Sequence, residues 1–304
     1  MINYYLNDAK SGPVLVTAKT TTSPVLSIIN KNEYLMRAEN IPCRKELIHS
    51  LNGIKYCKVE VYKDSICGTL RIPQKNKNKE PKLTLGFRIK DKNLLLIEQS
   101  GDLKRWIEKH ISILNTIQAP DELLLQLLEH IIEDDVMYLT RIEDKLQNME
   151  EQLLNDELDD YYSVMQPYRR KLLEFYAFYD QLTDMGELLQ ICTHNALIKN
   201  ADLWGKFTHR TERLQNHATL LRDEIAHLGE LYKSGQDEKQ NKIMETLTVV
   251  TIIFLPLTLL TGWYGMNFEY MLELHYRTGY YRIIILAIII VVFEIIYFKR
   301  KKFF

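Results

Sequence analysis

The chain has 304 residues, a formal net charge of −1, 26% charged residues and 46% hydrophobic ones. That length admits one or two domains with a real core and a membrane segment besides, and the even charge balance points to no nucleic-acid partner. Cys43, Cys57, Cys67 and Cys192 have neither a CxxC nor any other metal-ligand spacing and read as reduced core thiols.

Met1 to Gly12 lack the apolar core of a cleaved signal, so the N-terminus is expected in the cytosol. Residues 1–119 read as a cytosolic α/β domain. Lys58–Ile72 carries the alternation and β-branched residues of strands. Leu83, Leu85, Phe87 and Ile89 alternate, and Asp91-Lys92-Asn93 turns the chain into Leu94–Ile97, giving a hairpin with one buried face. The Lys/Asn-rich stretch between these two parts reads as a solvated loop. Leu103–Leu114 reads as a short amphipathic helix that stops before Pro120.

Residues 120–199 read as acidic and amphipathic cytosolic helices with only one strong break before the membrane. Asp121 fits the N-cap of the first. Glu143 to Asp160 hold eight carboxylates and one lysine, with Leu146, Met149, Leu153 and Leu158 on one helical face. Hard divalent cations take such oxygen ligands, but a solvated helix face over ordinary packing is the preferred reading. Pro167 suits the first turn of a helix over roughly 166–199, whose aromatics Tyr168, Phe175, Tyr176, Phe178 and Tyr179 are expected to pack on the preceding helix.

A stalk helix over 200–264 opens near Asp202. Phe207, Thr211, Leu214, Ala218, Leu221, Ile225, Leu228 and Tyr232 follow a four-three repeat, the seam of a bundle. Continued through Gly235 into the apolar run, it would be about 60 residues and ~90 Å long. His209, His217 and His227 lie on it without the i,i+4 spacing of a two-histidine metal site and read as surface or seam residues.

The apolar run itself, about 246–264, has the length needed to cross ~30 Å of hydrocarbon. It is not uniformly oily. Asn241, Met244, Thr248, Thr251, Leu255, Thr258 and Gly262 recur by threes and fours, and five of those seven are polar or small. Such a stripe is expected to face copies of itself or a wet channel, unless each threonine simply bonds back to its own helix. Pro256 is expected to loosen the helix. After an outer loop over 265–279, residues 280–298 form a second span, and the tail over 299–304 begins Lys299-Arg300-Lys301-Lys302. Basic residues before the first span and after the second place both ends on the cytoplasmic side of the cell membrane. Glu294 lies near the basic end and is expected to reach lysines or lipid headgroups.

Tyr264-Gly265-Met266-Asn267 follows an uncharged span and precedes a second span and a Lys-rich tail. With Phe254-Leu255-Pro256-Leu257-Thr258 and Asn241-Lys242-Ile243-Met244, it resembles the signature of the CorA family of divalent-metal transporters. The resemblance implies a funnel-shaped homopentamer in the bilayer, its pore lined by the first span. Gly265, Met266 and Asn267 would then form the outer ring meeting hydrated Mg²⁺. Asn241 and Thr258 would be polar rings, and Met244 and Leu247 an apolar constriction, though Leu247 lies one place off the spacing-derived stripe. Glu269 and Glu273 in the outer loop would attract cations. Of the regulatory metal site, Glu230 stands at the stalk position, while its partner would fall near Glu46-Leu47-Ile48-His49, where no family-type Glu-Asp is present.

The reading is therefore transport of Mg²⁺, as cargo and possible regulatory ligand with no cofactor, down its electrochemical gradient. Alternatives are a Zn²⁺, Co²⁺ or Ni²⁺ route within the same family, or a non-conducting membrane-anchored receptor or scaffold. No nucleophile–base motif or phosphate loop supports an enzyme.

Overall fold

Short runs of β-branched, aromatic and leucine residues in the first hundred positions pair into one seven-stranded sheet. The computed structural model describes residues 2–5, 14–15, 25–32, 34, 56–75, 83–98, 103, 119–155, 160–192, 197–266 and 278–300. The strands are β1 (Ile2–Tyr5), β2 (Val14–Leu15), β3 (Val25–Asn30), β4 (Lys58–Val61), β5 (Ile66–Arg71), β6 (Thr84–Lys90) and β7 (Asn93–Glu98). Their order across the sheet is β2-β1-β3-β7-β6-β5-β4. All pairs are antiparallel except β3 with β7, which run parallel from Val25 opposite Asn93 to Asn30 opposite Glu98. The β6–β7 hairpin turns at Asp91-Lys92, and Asp91 takes the left-handed region at φ 53° that short polar side chains tolerate.

That hairpin is covered on both faces rather than one. Leu85, Phe87 and Ile89 are buried as their alternation predicts, yet Gly86 and Arg88 between them are buried as well. Alternation alone reports which face is apolar, not whether the other is covered. The Lys/Asn-rich loop and the expected helix at Leu103–Leu114 fall largely outside the described residues; Leu103 itself is buried.

Five helices follow: α1 (Pro120–Ile131), α2 (Asp135–Leu154), α3 (Tyr161–Ile191), α4 (Ala201–Tyr264) and α5 (Gly279–Arg300). The helical region is thus broken at 132–134, near 155–160 and around 192–200 before α4, not once. Asp121 is not the N-cap of α1; Ala119 is, without a side-chain cap. Asp121 sits one residue inside the helix, 1% exposed, and its Oδ2 accepts the Lys199 amide at 3.0 Å, tying α1 to the segment that leads into α4. Pro167 is interior to α3, which begins six residues earlier at a true cap: Asp160 accepts the Ser163 amide at 3.2 Å, and those bonds hold its carboxyl below the ordinary range.

Aromatic and leucine rows join α2, α3 and α4 in one bundle. Tyr138 of α2 meets Phe175 of α3 at 5.0 Å between ring centroids. Thr183 of α3 donates to Thr211 of α4 at 2.8 Å, Gln215 to Asp180 at 2.7 Å, and the Tyr161 hydroxyl to the Ile225 carbonyl at 2.5 Å. These pairings run in opposite senses along the chain, so α3 and α4 are antiparallel. All seven seam residues from Phe207 to Leu228 are buried, and Tyr232 is half-buried. Each large apolar side chain removed from water here contributes about 1.5–3 kcal/mol. Gly186 is required where α3 crosses α4, because a Cβ there would collide with Thr208 Oγ1 and stand 3.3 Å from the Phe207 ring.

Polar ties link bundle and sheet. The Cys57 amide donates to Gln181 at 2.6 Å, and Lys75 Nζ meets the buried Asp135 carboxylate at 2.6 Å while the Tyr179 hydroxyl donates to it at 2.9 Å. Burial pushes the Asp135 pKa up, partly offset by the Lys75 charge. Burial also pushes the Cys57 thiol up to about 12, which makes it a packing residue and not a thiolate.

The chain divides into two units, Met1–Leu228 and Gly229–Phe304. The second holds the two apolar helical segments, each long and apolar enough to cross a membrane.

Candidate functional site

Within the second unit, α4 continues without interruption through Gly235 and Pro256. Proline supplies no amide, so the Ile252 carbonyl lacks its usual donor. The helix closes just after Tyr264, where the Gly265 amide donates to Thr261 at 2.9 Å. A Cβ at Gly265 would stand 2.8 Å from that same carbonyl, so a larger residue crowds this last turn.

The span has two unlike faces. Val249 is 3% exposed, and Ile253, Pro256, Leu257, Leu260 and Tyr264 are half-shielded. On α5 the shielded positions are Ile283, Ala287, Ile290, Val291, Glu294 and Phe298. At 3.6 residues per turn, the α4 stripe through Asn241, Thr248, Thr251, Thr258 and Gly262 lies roughly half a turn from its shielded stripe. Every residue of that polar stripe is exposed, as are Met244 (54%), Leu247 (57%) and Leu255 (66%). Leu247, one place off by spacing, shares the exposure of its neighbours. Part of this face forms a groove of about 840 Å³ lined by Thr251, Leu255, Thr258, Gly262, Trp263 and Met266.

The hydroxyls on the stripe do bond back to their own helix, as the alternative reading allows, and so do Thr246 and Thr261 off the stripe. Thr248 donates to the Met244 carbonyl at 2.7 Å, Thr251 to Leu247 at 2.7 Å and Thr258 to Phe254 at 2.8 Å. Each proton is thereby committed to the helix itself, and each oxygen presents only lone pairs to whatever lies beyond.

Asn267, Glu269 and Glu273 lie outside the described residues, as does Glu46-Leu47-Ile48-His49. Gly265 and Met266 are exposed at the end of α4, and Glu230 is exposed on its middle portion. Glu294 Oε2 is buried and has no hydrogen-bond partner, and no lysine among the described residues pairs with it. Its position on the shielded stripe of α5 is legible only once the helix phase is known.

Such a pair of long apolar helices, each with one face shielded and the other bare, has the character of a membrane protein. The CorA-like Mg²⁺ transporter family model matches residues 33–300. The chain belongs to that family, which is one of transporters, and this gives it a membrane location. A cobalt/magnesium transport protein of Thermotoga maritima is 28% identical over 213 residues, covering 69% of this chain and 61% of that protein. The match thus spans less than two thirds of the relative's length. In fold, the chain is similar to the complete CorA magnesium transporter of Methanocaldococcus jannaschii, with a TM-score of 0.79, 20% identity and coverage of 98% and 97% of the two chains. It is also similar to the full-length CmaX protein, with a TM-score of 0.74, 16% identity and coverage of 99% and 97%.

Proposed function

We propose that the chain conducts hydrated Mg²⁺ through a bore formed by copies of its α4 face, in a homopentamer set in the cell membrane with both termini cytoplasmic. The observation that carries this reading is the bare acceptor stripe of Thr248, Thr251 and Thr258, opposite the shielded face of the same helix. Mg²⁺ gives up its waters reluctantly. Those waters point their oxygens at the ion and only protons outward, so a wall suited to them must accept and need not donate. Threonines whose own protons are bound to the helix are such a wall, and the amide oxygens of Asn241 and Asn267 are others.

Asn267, with Gly265 and Met266, forms the outer ring in this reading, and Glu269 and Glu273 concentrate cations before it. Gly262, Leu255 and the threonines line the passage. Met244 and Leu247 form an apolar constriction that closes by dewetting. Glu230 is the stalk contribution to a regulatory metal site. An inside-negative potential supplies about 4.6 kcal/mol per divalent ion at 100 mV, so the residues need only lower the barrier.

The test is Mg²⁺ uptake into proteoliposomes by the full chain and by Thr258→Val and Asn267→Ala. Thr258→Val removes one acceptor per copy, and because that hydroxyl bonds only its own helix the fold survives. We expect flux to fall about fivefold or more, the equivalent of about 1 kcal/mol, and Asn267→Ala to abolish selection of Mg²⁺. Undiminished, Mg²⁺-selective flux in both variants refutes the assignment; no divalent flux in the wild type refutes the function.

A further inference from the structure

The acidic helix and the seam helix run parallel, and their pairing brings together groups far apart in the chain. His217 Nε2 of α4 meets Glu143 Oε2 of α2 at 3.2 Å. Seven residues further along both helices, Glu150 of α2 comes beside Glu224 and His227 of α4. One ligand atom from each of these three lies within 4.8 Å of the other two. Glu224 and His227 are three residues apart, so they project from one face of α4, and the Glu-x-x-His spacing is one by which helical bundles hold metal ions.

The upper and lower layers differ in a telling way. Glu143 and His217 satisfy each other directly. Among the described residues, Glu150, Glu224 and His227 make no hydrogen bond or ion pair with one another or with any basic residue. Two carboxylates are therefore held close together with no cation among the described residues to neutralise them. Atoms that bind one ion through bonds of ~2.0–2.2 Å stand roughly 3–4.3 Å apart, so a small rotamer adjustment of exposed His227 closes the set.

We propose that Glu150, Glu224 and His227 form a divalent transition-metal site within one subunit, clasping the acidic helix to the seam helix. An imidazole with two carboxylates suits a borderline ion such as Zn²⁺, Co²⁺ or Ni²⁺, whereas Mg²⁺ favours an all-oxygen octahedron. Three protein ligands leave positions for water, and half-buried Glu150 and Glu224 confine the ion to one side. The site lies in the first unit and shares no residue with the proposed bore, so the two are tested separately.

The experiment is titration of Zn²⁺ into the detergent-solubilised full-length chain in excess Mg²⁺, followed by calorimetry, with Co²⁺ absorption as the second readout. Wild type is expected to bind one equivalent per chain more than His227→Ala or Glu150→Gln, or to bind it about tenfold or more tightly. The Co²⁺ spectrum should change in the same variants. His227 is exposed, so its replacement leaves the fold intact, and near-native helical circular dichroism checks Glu150→Gln. Equal stoichiometry and affinity in all three proteins overturns the site, as does complete displacement of Zn²⁺ by Mg²⁺.

Discussion

Replacing Lys75 by Met keeps the aliphatic stem and removes the cation nearest to Asp135. The carboxylate at the start of α2 is 1% exposed, bonded by Lys75 at 2.6 Å and Tyr179 at 2.9 Å. Without Lys75 the folded chain must either bury a poorly compensated charge or protonate it. Protonation sets a ceiling on the loss: from an ordinary pKa of 3.8, it costs 1.36 kcal/mol per pH unit, or about 4.4 kcal/mol at pH 7 and about 1.6 kcal/mol at pH 5. Arg210 also stabilises the charged form and keeps the loss under that ceiling. We expect about 3 kcal/mol at pH 7, in the range for breaking a buried pair. The sign follows from the direction of the shift. A carboxyl raised in the folded state binds its proton more readily there, so stability falls as pH climbs above 3.8 through the folded pKa. Lys75→Met raises the folded pKa further and so extends that fall to higher pH. Urea unfolding of the solubilised chain at pH 5 and pH 7, followed by fluorescence of the buried Trp204, measures it. An equal loss at the two pH values, or none at either, refutes the reasoning.

Two further substitutions probe packing. Gly186→Ala should lower the unfolding midpoint, because overpacking costs about 1–3 kcal/mol against a helix-propensity gain of about 1 kcal/mol. Adding Thr208→Ala should recover most of the loss, since Thr208 Oγ1 is the atom in the way; failure of the double variant to recover would place the strain elsewhere. Glu294→Leu should raise thermal stability in detergent, because it removes a buried carboxyl oxygen that has no partner among the described residues. A fall in melting temperature would mean that Glu294 has a partner in the assembled protein.

Periodicity carried the long-range plan of the chain because it depends on local chemistry alone. The four-three row from Phe207 to Leu228 and the alternation of Leu85, Phe87 and Ile89 both mark faces that are buried in the fold. The helix breaks were less legible. Asp121 has the residue type and place of a cap, but the Lys199 amide competes for it, and that partner lies 78 positions away. Pro167 is tolerated inside α3 because Asp160 caps the helix earlier. The Glu150, Glu224 and His227 group was hidden for a like reason. His227 has no histidine at i+4, and its nearest carboxylates include one from another helix, so only the parallel register of α2 and α4 reveals it.

The threonines of α4 argue most sharply when compared with one another. In the buried seam, Thr211 donates to the Thr208 carbonyl at 2.9 Å and accepts from Thr183 at 2.8 Å, so donor and acceptor are both used. In the span, Thr248, Thr251 and Thr258 make the donating half of the same arrangement and, among the described residues, nothing fills the other half. One back-bonded threonine is at ease in lipid, so any single hydroxyl decides nothing. Three on one stripe with Asn241 and Gly262, half a turn from the shielded side, are a different matter, because an amide and a row of idle acceptors gain nothing from hydrocarbon. In the proposed bore, water is the partner that completes them, and a cation surrounded by its own outward-pointing water protons would complete them best.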